Sequence, residues 1–418
     1  MSIIEPYWGE FLISPIPLEM SLNYCSHKCG YCFANLNDPK RHGDIKKIMR
    51  FLADFRNRET LSAKLMQDGY PICISNRSDP FAYSNARQIM PILETLAGIG
   101  APVTFQTKGG EGIDRAIQLF PTAVWYISIS FANDDLRRKI EPGAPTIASR
   151  FELIEKIILA GGRVILGLNP VVPEWLSHDE IQTVLMAAKE RGVEGVWIEE
   201  LHLNARQISN MSRGERLAIG EDILERAKKR RKDDRDADTF FYARELSQAL
   251  GFEIFSNGQP TVSRIWDIYR DRYPKLFPTN QDFVNACAAN GWHNGMIAFP
   301  HWFDTVGDLP GGRYRMNKYI GASARSIFDD YQIPSKLTYT ELLGIIWSTK
   351  RAKQSPVRMP SFSYASVWAE NGYLQLVDES NMPYLIFDET GSLESYYTPV
   401  APIWSQEIAA IGEAVNYG

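Results

Sequence analysis

The chain has 418 residues, of which 44% are hydrophobic and 23% charged, and its formal net charge is −5. This length predicts one large domain with an appended region, or two domains, and the acidic balance is not that of a typical nucleic-acid-binding protein. The first twenty residues lack a basic signal-peptide flank, no apolar run is long enough to span a bilayer, and five cysteines suit a reducing compartment. We therefore expect a cytoplasmic protein with no membrane partner.

Short apolar runs alternate with longer amphipathic stretches through the first half of the chain. The runs predict six strands, at 18–24, 71–76, 102–107, 124–130, 163–169 and 195–200. The stretches between them predict helices near 45–64, 85–99, 113–119, 147–160 and 178–191. Repeated alternation of this kind predicts an α/β fold with a parallel sheet, namely a partial (β/α)6 barrel of the TIM type.

The loop after the first predicted strand carries Cys25, Cys29 and Cys32 in a C-x3-C-x2-C spacing, with Tyr31 just before the third cysteine. Three thiolates on one short loop can hold three irons of a [4Fe–4S] cube. The fourth iron is then left without a protein ligand. Such an iron is open to a small-molecule cofactor.

Two other interpretations of the three cysteines remain open. Zinc needs four ligands, and His27 or His42 could supply the fourth. A disulfide with one spare thiol is the other interpretation, although it suits a secreted protein better. Only Cys73 and Cys287 remain elsewhere in the chain, which is too few for a second all-cysteine cluster.

The other five predicted strands also end in polar residues. These ends lie at 75–80, 106–110, 128–130, 169–170 and 199–202. In barrels of parallel strands the active-site groups sit at the C-terminal ends of the strands. The pattern therefore predicts a polar site at the mouth of the barrel, beside the cysteine loop.

After residue 205 the alternation of strands and helices stops. Helices are predicted at 213–231 and 237–250, and two short alternating runs at 373–377 and 384–387 predict a small hairpin. We therefore predict a barrel at 1–205 and an appended mixed α+β region at 206–418 that recognises the substrate.

Over roughly residues 15–205 the chain resembles the spore photoproduct lyase-like branch of the radical S-adenosylmethionine superfamily. The resemblance rests on the cysteine loop and on four later motifs, Ser78-Asp79-Pro80, Thr107-Lys108, Ser128-Ile129-Ser130, and Glu141-Pro142-Gly143-Ala144-Pro145 followed by Arg150. It implies a [4Fe–4S] cluster held by Cys25, Cys29 and Cys32, and S-adenosylmethionine as a second cofactor.

The resemblance also implies roles for single residues. Ser78, Lys108 and Ser128 match positions that contact S-adenosylmethionine, and a lysine ammonium can pair with the methionine carboxylate. Asp79 has two open interpretations, an Asx turn before Pro80 and a site residue. An electron donor such as flavodoxin or ferredoxin would supply the electron that splits the sulfonium, and the resulting 5′-deoxyadenosyl radical abstracts hydrogen from carbon.

One position departs from the branch. In the photoproduct enzyme a cysteine near the Ser-Asp pair returns a hydrogen atom to the product, whereas Asn76 stands there in this chain. Cys73 lies three residues earlier, and an odd offset along a strand points it to the opposite face. Photoproduct repair is therefore not expected. A radical isomerase, which takes its hydrogen back from 5′-deoxyadenosine, needs no donor cysteine.

Three hypotheses follow for the function. The first is a lyase- or isomerase-type radical modification of a DNA base, thymine or a hypermodified thymine as in phage DNA, with base stacking on Trp292, Trp302, Phe303 or Tyr314. The second is a radical enzyme that acts on a small metabolite or peptide, which the acidic net charge favours. The third is a non-catalytic metal-binding module. No side chain is assigned as a catalytic acid, base or hydrogen donor.

Overall fold

An eight-stranded sheet forms the centre of the computed structural model. The structure describes residues 5–6, 18–20, 22, 24–37, 43–58, 63, 66–67, 69, 71–74, 78–228, 234–256, 265–273, 295–296, 374–377 and 383–384. The strands of the central sheet are β1 (Glu5–Pro6), β2 (Leu18–Met20), β3 (Ile72–Ile74), β4 (Val103–Thr107), β5 (Val124–Ser128), β6 (Arg163–Val171), β7 (Gly195–Glu200) and β8 (Glu253–Ser256).

The strands lie in chain order from β1 to β8. Strands β2 to β8 are parallel, and β1 pairs antiparallel with β2 at one edge. All six predicted strands are present, and the prediction of an α/β partial barrel is confirmed. Within the described residues β1 and β8 do not pair with each other, so the barrel is open. The strand β8 was not predicted, and it adds a seventh parallel strand.

Helices precede, connect and follow the strands of the sheet. They are α1 (Phe33–Asn37), α2 (Ile45–Asp54), α3 (Tyr83–Gly98), α4 (Ile113–Leu119), α5 (Asp134–Ile140), α6 (Ile147–Leu159), α7 (His178–Glu190), α8 (Ala205–Asn210), α9 (Arg213–Ile219), α10 (Glu221–Ala227), α11 (Asp234–Ala249) and α12 (Ile265–Arg272). The five helices predicted between strands are all present. The prediction of one helix over 213–231 was wrong, because Gly220 at φ +97° separates α9 from α10.

Side chains of the sheet alternate between two cores, as the two-residue period of a strand requires. Ile72 and Ile74 of β3 pack toward the helices, whereas Cys73 between them belongs to an inner cluster with Tyr126 and Trp197. Helix α12 adds Ile268 and Tyr269 to that inner cluster, and Tyr273 directly after the helix joins them. The barrel interior is therefore filled by side chains from both the sheet and a helix beyond residue 205.

Tyr273 closes the end of the barrel where the strands begin. Its hydroxyl donates to the carbonyl of Val103 at 2.5 Å and accepts from the amide of Val124 at 2.9 Å. These residues start β4 and β5. A cavity opens at the opposite end of the barrel, where the strands finish.

Residues beyond 273 contribute a second, small sheet. Its strands are β9 (Gly295–Met296), β10 (Leu374–Val377) and β11 (Pro383–Tyr384), and β10 pairs antiparallel with β11 at the place of the predicted hairpin. The rest of that predicted hairpin lies outside the described residues, and the division at residue 205 stays a prediction. Among the described helices, none has the length and apolar character needed to cross a membrane.

Candidate active site

A cavity of about 400 Å³ opens where the parallel strands end. Its position agrees with the polar strand ends of the sequence. The structure brings all six predicted site residues to this one cavity, namely Cys25, Cys29, Cys32, Ser78, Lys108 and Ser128. Residues that are far apart in the chain therefore meet because the C-terminal ends of parallel strands share one edge of the sheet.

The cysteine loop runs from the end of the first parallel strand to helix α1. Cys25 and Cys29 are buried, Cys32 is partly exposed, and all three are free thiols. Asn35 of α1 fixes the loop, since its side-chain amide donates to the carbonyl of Cys25 at 3.2 Å and its side-chain oxygen accepts from the Cys25 amide at 3.4 Å. Lys28 takes the left-handed conformation with φ 52°, which lets the loop turn between the first two cysteines.

The protein surroundings of the loop keep two of its thiols neutral, those of Cys25 and Cys29. Burial, helped by the charge of Asp79, raises the pKa of Cys25 to about 12. Burial, helped by Glu141, also raises the pKa of Cys29. Because a metal ligand must be the thiolate, loading a metal centre here releases protons.

The contacts of both ring nitrogens of His27 exclude this residue as a zinc ligand. Its Nδ1 lies 2.9 Å from the carbonyl oxygen of Gly143, and its Nε2 lies 3.1 Å from that of Gly109 and 3.2 Å from Asp79 Oδ2. Both ring nitrogens are therefore engaged inside the protein. The other zinc candidate, His42, lies outside the described residues.

The donor set fits an iron–sulfur cube better than a single metal ion. In the part of the chain that the structure describes, no three Cys, His, Asp or Glu side chains converge on one point to hold an ion. Three thiols spread along one loop, with no fourth donor converging on them among the described residues, match the three corner irons of a cube that leaves one iron open.

Lys108 lines the cavity, and the side chains of Ser128 and Glu141 hold its ammonium group in place. Its Nζ donates to Ser128 Oγ at 2.6 Å and lies 3.1 Å from Glu141 Oε1. The Glu141 carboxylate is fully buried and also accepts from Arg150 at 2.5 Å and from the Tyr31 hydroxyl. Arg150 in turn donates to the carbonyl of Ser128 at 2.9 Å. One buried carboxylate thus joins the cysteine loop, Lys108 and Ser128.

The charges of this network leave a net cation facing the cavity. Burial alone would raise the pKa of Glu141, but Arg150 and Lys108 outweigh it and bring the pKa to about 2. Glu141 is therefore ionised, and it neutralises one of its two cationic partners. The remaining positive charge suits an anionic group such as a carboxylate at Lys108.

Asp79 combines the two interpretations that the sequence left open. Its Oδ1 accepts from the amide of Phe81 at 3.0 Å, which is an Asx turn, and from Thr107 Oγ1 at 2.7 Å. Its Oδ2 accepts from the amide of Lys108 at 2.6 Å. Burial works against ionisation, yet His27 and these donors hold the pKa of Asp79 below its ordinary value. Asp79 therefore also fixes the backbone that carries Lys108.

The glycine of the Glu-Pro-Gly motif touches the cysteine loop. The amide of Gly143 donates to the carbonyl of His27 at 2.9 Å, and a Cβ on Gly143 would lie 2.2 Å from the Ser26 carbonyl oxygen. The amide of Gly30 donates to Ile140 at 2.8 Å. Nothing in the sequence motif signals this contact, which joins segments more than a hundred residues apart.

The other half of the cavity is formed by the ends of β5, β6 and β7. Asn169 donates to Glu199 Oε2 at 2.7 Å, and Trp197 Nε1 donates to Glu199 Oε1 at 2.8 Å. Burial raises the pKa of Glu199. Tyr126 packs edge-on against Trp197 with ring centroids 5.8 Å apart. The polar ends at 169–170 and 199–202 were predicted to face the site, but Tyr126 and Trp197 were missed. Both residues lie at inward-facing positions of the alternating pattern in β5 and β7, and this pattern could have identified them from the sequence.

Asn76, at the position of the donor cysteine, lies outside the described residues, as do the four aromatic residues proposed to stack a base. Cys73 lies in the inner cluster below the cavity and does not line it.

Comparisons with known proteins find distant relatives. No model of a known protein family matches the chain. Uncharacterized proteins of Mycobacterium tuberculosis and Mycobacterium bovis are 28% identical over 195 residues, which cover 43% of this chain. The chain spans 56% of the length of these relatives.

Solved structures resemble the fold at low sequence identity. Spore photoproduct lyase complexed with dinucleoside spore photoproduct is 14% identical, with a TM-score of 0.37, covering 49% of this chain and 61% of that one. SuiB of Streptococcus suis bound to S-adenosylmethionine is 14% identical, with a TM-score of 0.30, covering 43% of this chain and 39% of that one.

Proposed function

We propose that this chain is a radical S-adenosylmethionine enzyme that modifies or rearranges a DNA base, either thymine or a hypermodified thymine. The observation that supports it most is the shared cavity, in which a loop of three free cysteines faces Lys108, Ser78 and Ser128. The resemblance of the sequence motifs to this superfamily gives the same assignment for the same residues.

In this proposal Cys25, Cys29 and Cys32 hold a [4Fe–4S] cluster. Together with S-adenosylmethionine, the bound cluster supplies a 5′-deoxyadenosyl radical that abstracts hydrogen from carbon. The chain itself positions the reactants. The short loop fixed by Asn35 sets where the thiolates stand, and the buried surroundings of Cys25 and Cys29 exclude water from that side of the cavity.

Lys108 binds the methionine carboxylate in this scheme. Glu141 and Ser128 hold the ammonium in place, so little side-chain freedom is lost when the carboxylate arrives. Because the lysine side chain is only 13% exposed, its charge is weakly screened by solvent. Ser78 and Ser128 offer hydroxyl groups to the remaining polar atoms of the cofactor.

A rearrangement suits the chain better than photoproduct repair, because Asn76 replaces the donor cysteine of the repair enzyme. An electron donor such as flavodoxin or ferredoxin and a cytoplasmic location belong to the proposal. The alternative substrate is a small metabolite or a peptide, which the net charge of −5 supports.

The test is the formation of 5′-deoxyadenosine by anaerobically reconstituted protein with a reductant. It is measured without DNA and with thymine-containing duplexes, both unmodified and hypermodified. Marked stimulation by one DNA that weakens steeply with salt supports the DNA-base proposal. Slow formation that no DNA changes moves the substrate to small molecules or peptides. No formation under any condition, in protein with a full complement of iron and sulfide, contradicts the enzyme assignment.

A further inference from the structure

The β7 end of the cavity carries a carboxylate that the cofactor scheme does not use. Glu199 lines the cavity and is half-buried. Its two oxygens accept from Asn169 and Trp197, which are both neutral donors. Among the described residues no cationic nitrogen lies within ion-pairing distance of Glu199. Each carboxylate oxygen accepts more than one hydrogen bond, so both can still receive a ligand's N–H groups.

This end of the cavity has the opposite electrostatic character to the cysteine side. Glu200 lies beside Glu199 in the lining of the cavity, and His202 Nε2 lies 3.9 Å from Glu200 Oε2. On the cysteine side, by contrast, the buried Glu141 is paired with Lys108 and Arg150. A desolvated carboxylate without a cation gains most from a ligand that brings one.

Tyr126 gives a second, independent sign of a ligand at this end. The residue is 8% exposed and lines the cavity, and within the described residues its hydroxyl makes no hydrogen bond of normal geometry, only a weaker contact with the Asn169 side chain. Such a group is costly to bury unless something pairs with it. Gly167 leaves the room for it, since a Cβ there would lie 2.1 Å from the hydroxyl oxygen.

We propose that Glu199 and Tyr126 bind a primary amine of the substrate, so that the base acted on carries an aminoalkyl group. This inference rests on the proposed function and deepens it. Glu199 accepts two N–H bonds of the ammonium, and the Tyr126 oxygen accepts a third. Unmodified thymine has no such group, and the phosphates of DNA would remain outside this acidic end.

The test compares nucleosides that differ in one atom. The probes are 5-aminomethyl-2′-deoxyuridine and 5-hydroxymethyl-2′-deoxyuridine, with thymidine as reference. Binding to the reconstituted protein in the presence of S-adenosylmethionine is measured by calorimetry, and 5′-deoxyadenosine formation is measured in parallel. We expect the amine to bind at least about tenfold more tightly than the hydroxyl compound, the size of effect that one hydrogen bond to a charged group gives.

Two variants and one control variant test whether Glu199 and Tyr126 cause the preference for the amine. Glu199→Gln should abolish the preference for the amine while the affinity for S-adenosylmethionine stays unchanged. Tyr126→Phe keeps the ring contact with Trp197 and should weaken amine binding several-fold, which keeps the test open if Glu199→Gln folds poorly. Glu111→Gln removes an exposed carboxylate that does not line the cavity and should change nothing.

Several outcomes would overturn the inference. These are equal binding of the amine and the hydroxyl compound, binding of neither, a preference that survives Glu199→Gln, and a loss of S-adenosylmethionine affinity that matches the loss of amine affinity. Failure of the proposed function looks different. In that case no 5′-deoxyadenosine forms even without a nucleoside, whatever the binding preference.

Discussion

The two halves of the cavity are built on different principles. On the cysteine side, Glu141 is fully buried between Arg150, Lys108 and Tyr31, and Asp79 accepts three hydrogen bonds and faces His27. On the β7 side, Glu199 is partly open to the cavity, its partners among the described residues are the neutral donors Asn169 and Trp197, and it lies near Tyr126.

The cysteine side is therefore preorganised before any ligand binds, whereas the β7 side can still pair with a charged ligand. A charge that is already paired and buried holds its neighbours in one arrangement before any ligand arrives. A carboxylate without a cation instead gains its counter-charge from the ligand. We therefore expect changes on the cysteine side to damage assembly and folding, and changes on the β7 side to alter which molecules bind.

Replacing any one of Cys25, Cys29 or Cys32 by Ala should have the largest effect. A cube that has lost one of three protein ligands is not retained, so iron and sulfide should fall to background and 5′-deoxyadenosine formation should stop. Iron and sulfide content and the visible absorption of the reconstituted protein measure this. Undiminished iron and sulfide in any of the three variants would contradict the ligand assignment.

Glu141→Gln should come next in size, because it leaves Arg150 and Lys108 without their carboxylate. Removing one member of a buried ion pair costs about 3–5 kcal/mol of unfolding free energy. Denaturant unfolding of the variant and the wild type measures the loss. Glu199→Gln serves as the matched change on the other half and should cost clearly less. Equal losses for the two variants would erase the distinction between the halves.

The difference in unfolding free energy between the wild type and the Glu141→Gln variant should become smaller at acid pH. The pKa of Glu141 is about 2 in the folded protein, below its usual 4.5, so its stabilising effect is fully present above pH 4.5 and is lost as the pH falls toward 2. The gap in unfolding free energy between wild type and Glu141→Gln should therefore narrow over this range. A gap that stays constant down to pH 2 would show that Glu141 acts only through packing.

Lys108→Met should have a smaller and more local effect. It removes the ammonium that is proposed to bind the methionine carboxylate, a charged hydrogen bond of about 1.5–3 kcal/mol, so S-adenosylmethionine should bind about 10- to 100-fold more weakly. Equilibrium binding to the reconstituted protein measures it, and iron content should not change. Unaltered affinity would place the cofactor carboxylate elsewhere.

Cys73→Ala should have the smallest effect on catalysis. Cys73 is buried in the inner cluster and does not line the cavity, so turnover should persist with a modest loss of stability from the smaller side chain. Product formation and 5′-deoxyadenosine formation are followed together. If product formation collapses while 5′-deoxyadenosine still forms, Cys73 supplies a hydrogen atom to the product and repair-type chemistry returns.

The sequence was sufficient to predict the half of the cavity that depends on local motifs. Apolar runs that each end in polar residues gave the six strands, and the geometry of a parallel sheet then brings Ser78, Lys108 and Ser128 together. The strand β8 was missed because four helices, α8 to α11, separate it from β7 in place of the single crossover helix that the pattern of the first half repeats. Gly220 lies inside a pattern that is otherwise continuous for a helix, so its division of that pattern into α9 and α10 was not predicted.

Long-range contacts were beyond the reach of sequence reasoning. Nothing near His27 in the chain signals that its ring faces Gly109, Gly143 and Asp79, and nothing near Gly143 signals its contact with Ser26. The role of Glu199 depends on Asn169 from the neighbouring strand. These features arise from packing between elements that are separated by 30 to 120 residues, and single-sequence patterns carry no information about such pairings.

The contact between the cysteine loop and residues 140–143 sets an order of events during synthesis. The ribosome makes the three cysteines more than a hundred residues before Ile140 and Gly143, which at ordinary elongation rates is on the order of ten seconds. Until those partners emerge, the thiols belong to an unsupported loop that is exposed to oxidation and to stray metal ions. The cell must therefore keep them reduced over this interval, and cluster delivery is best timed after residue 143 has been made.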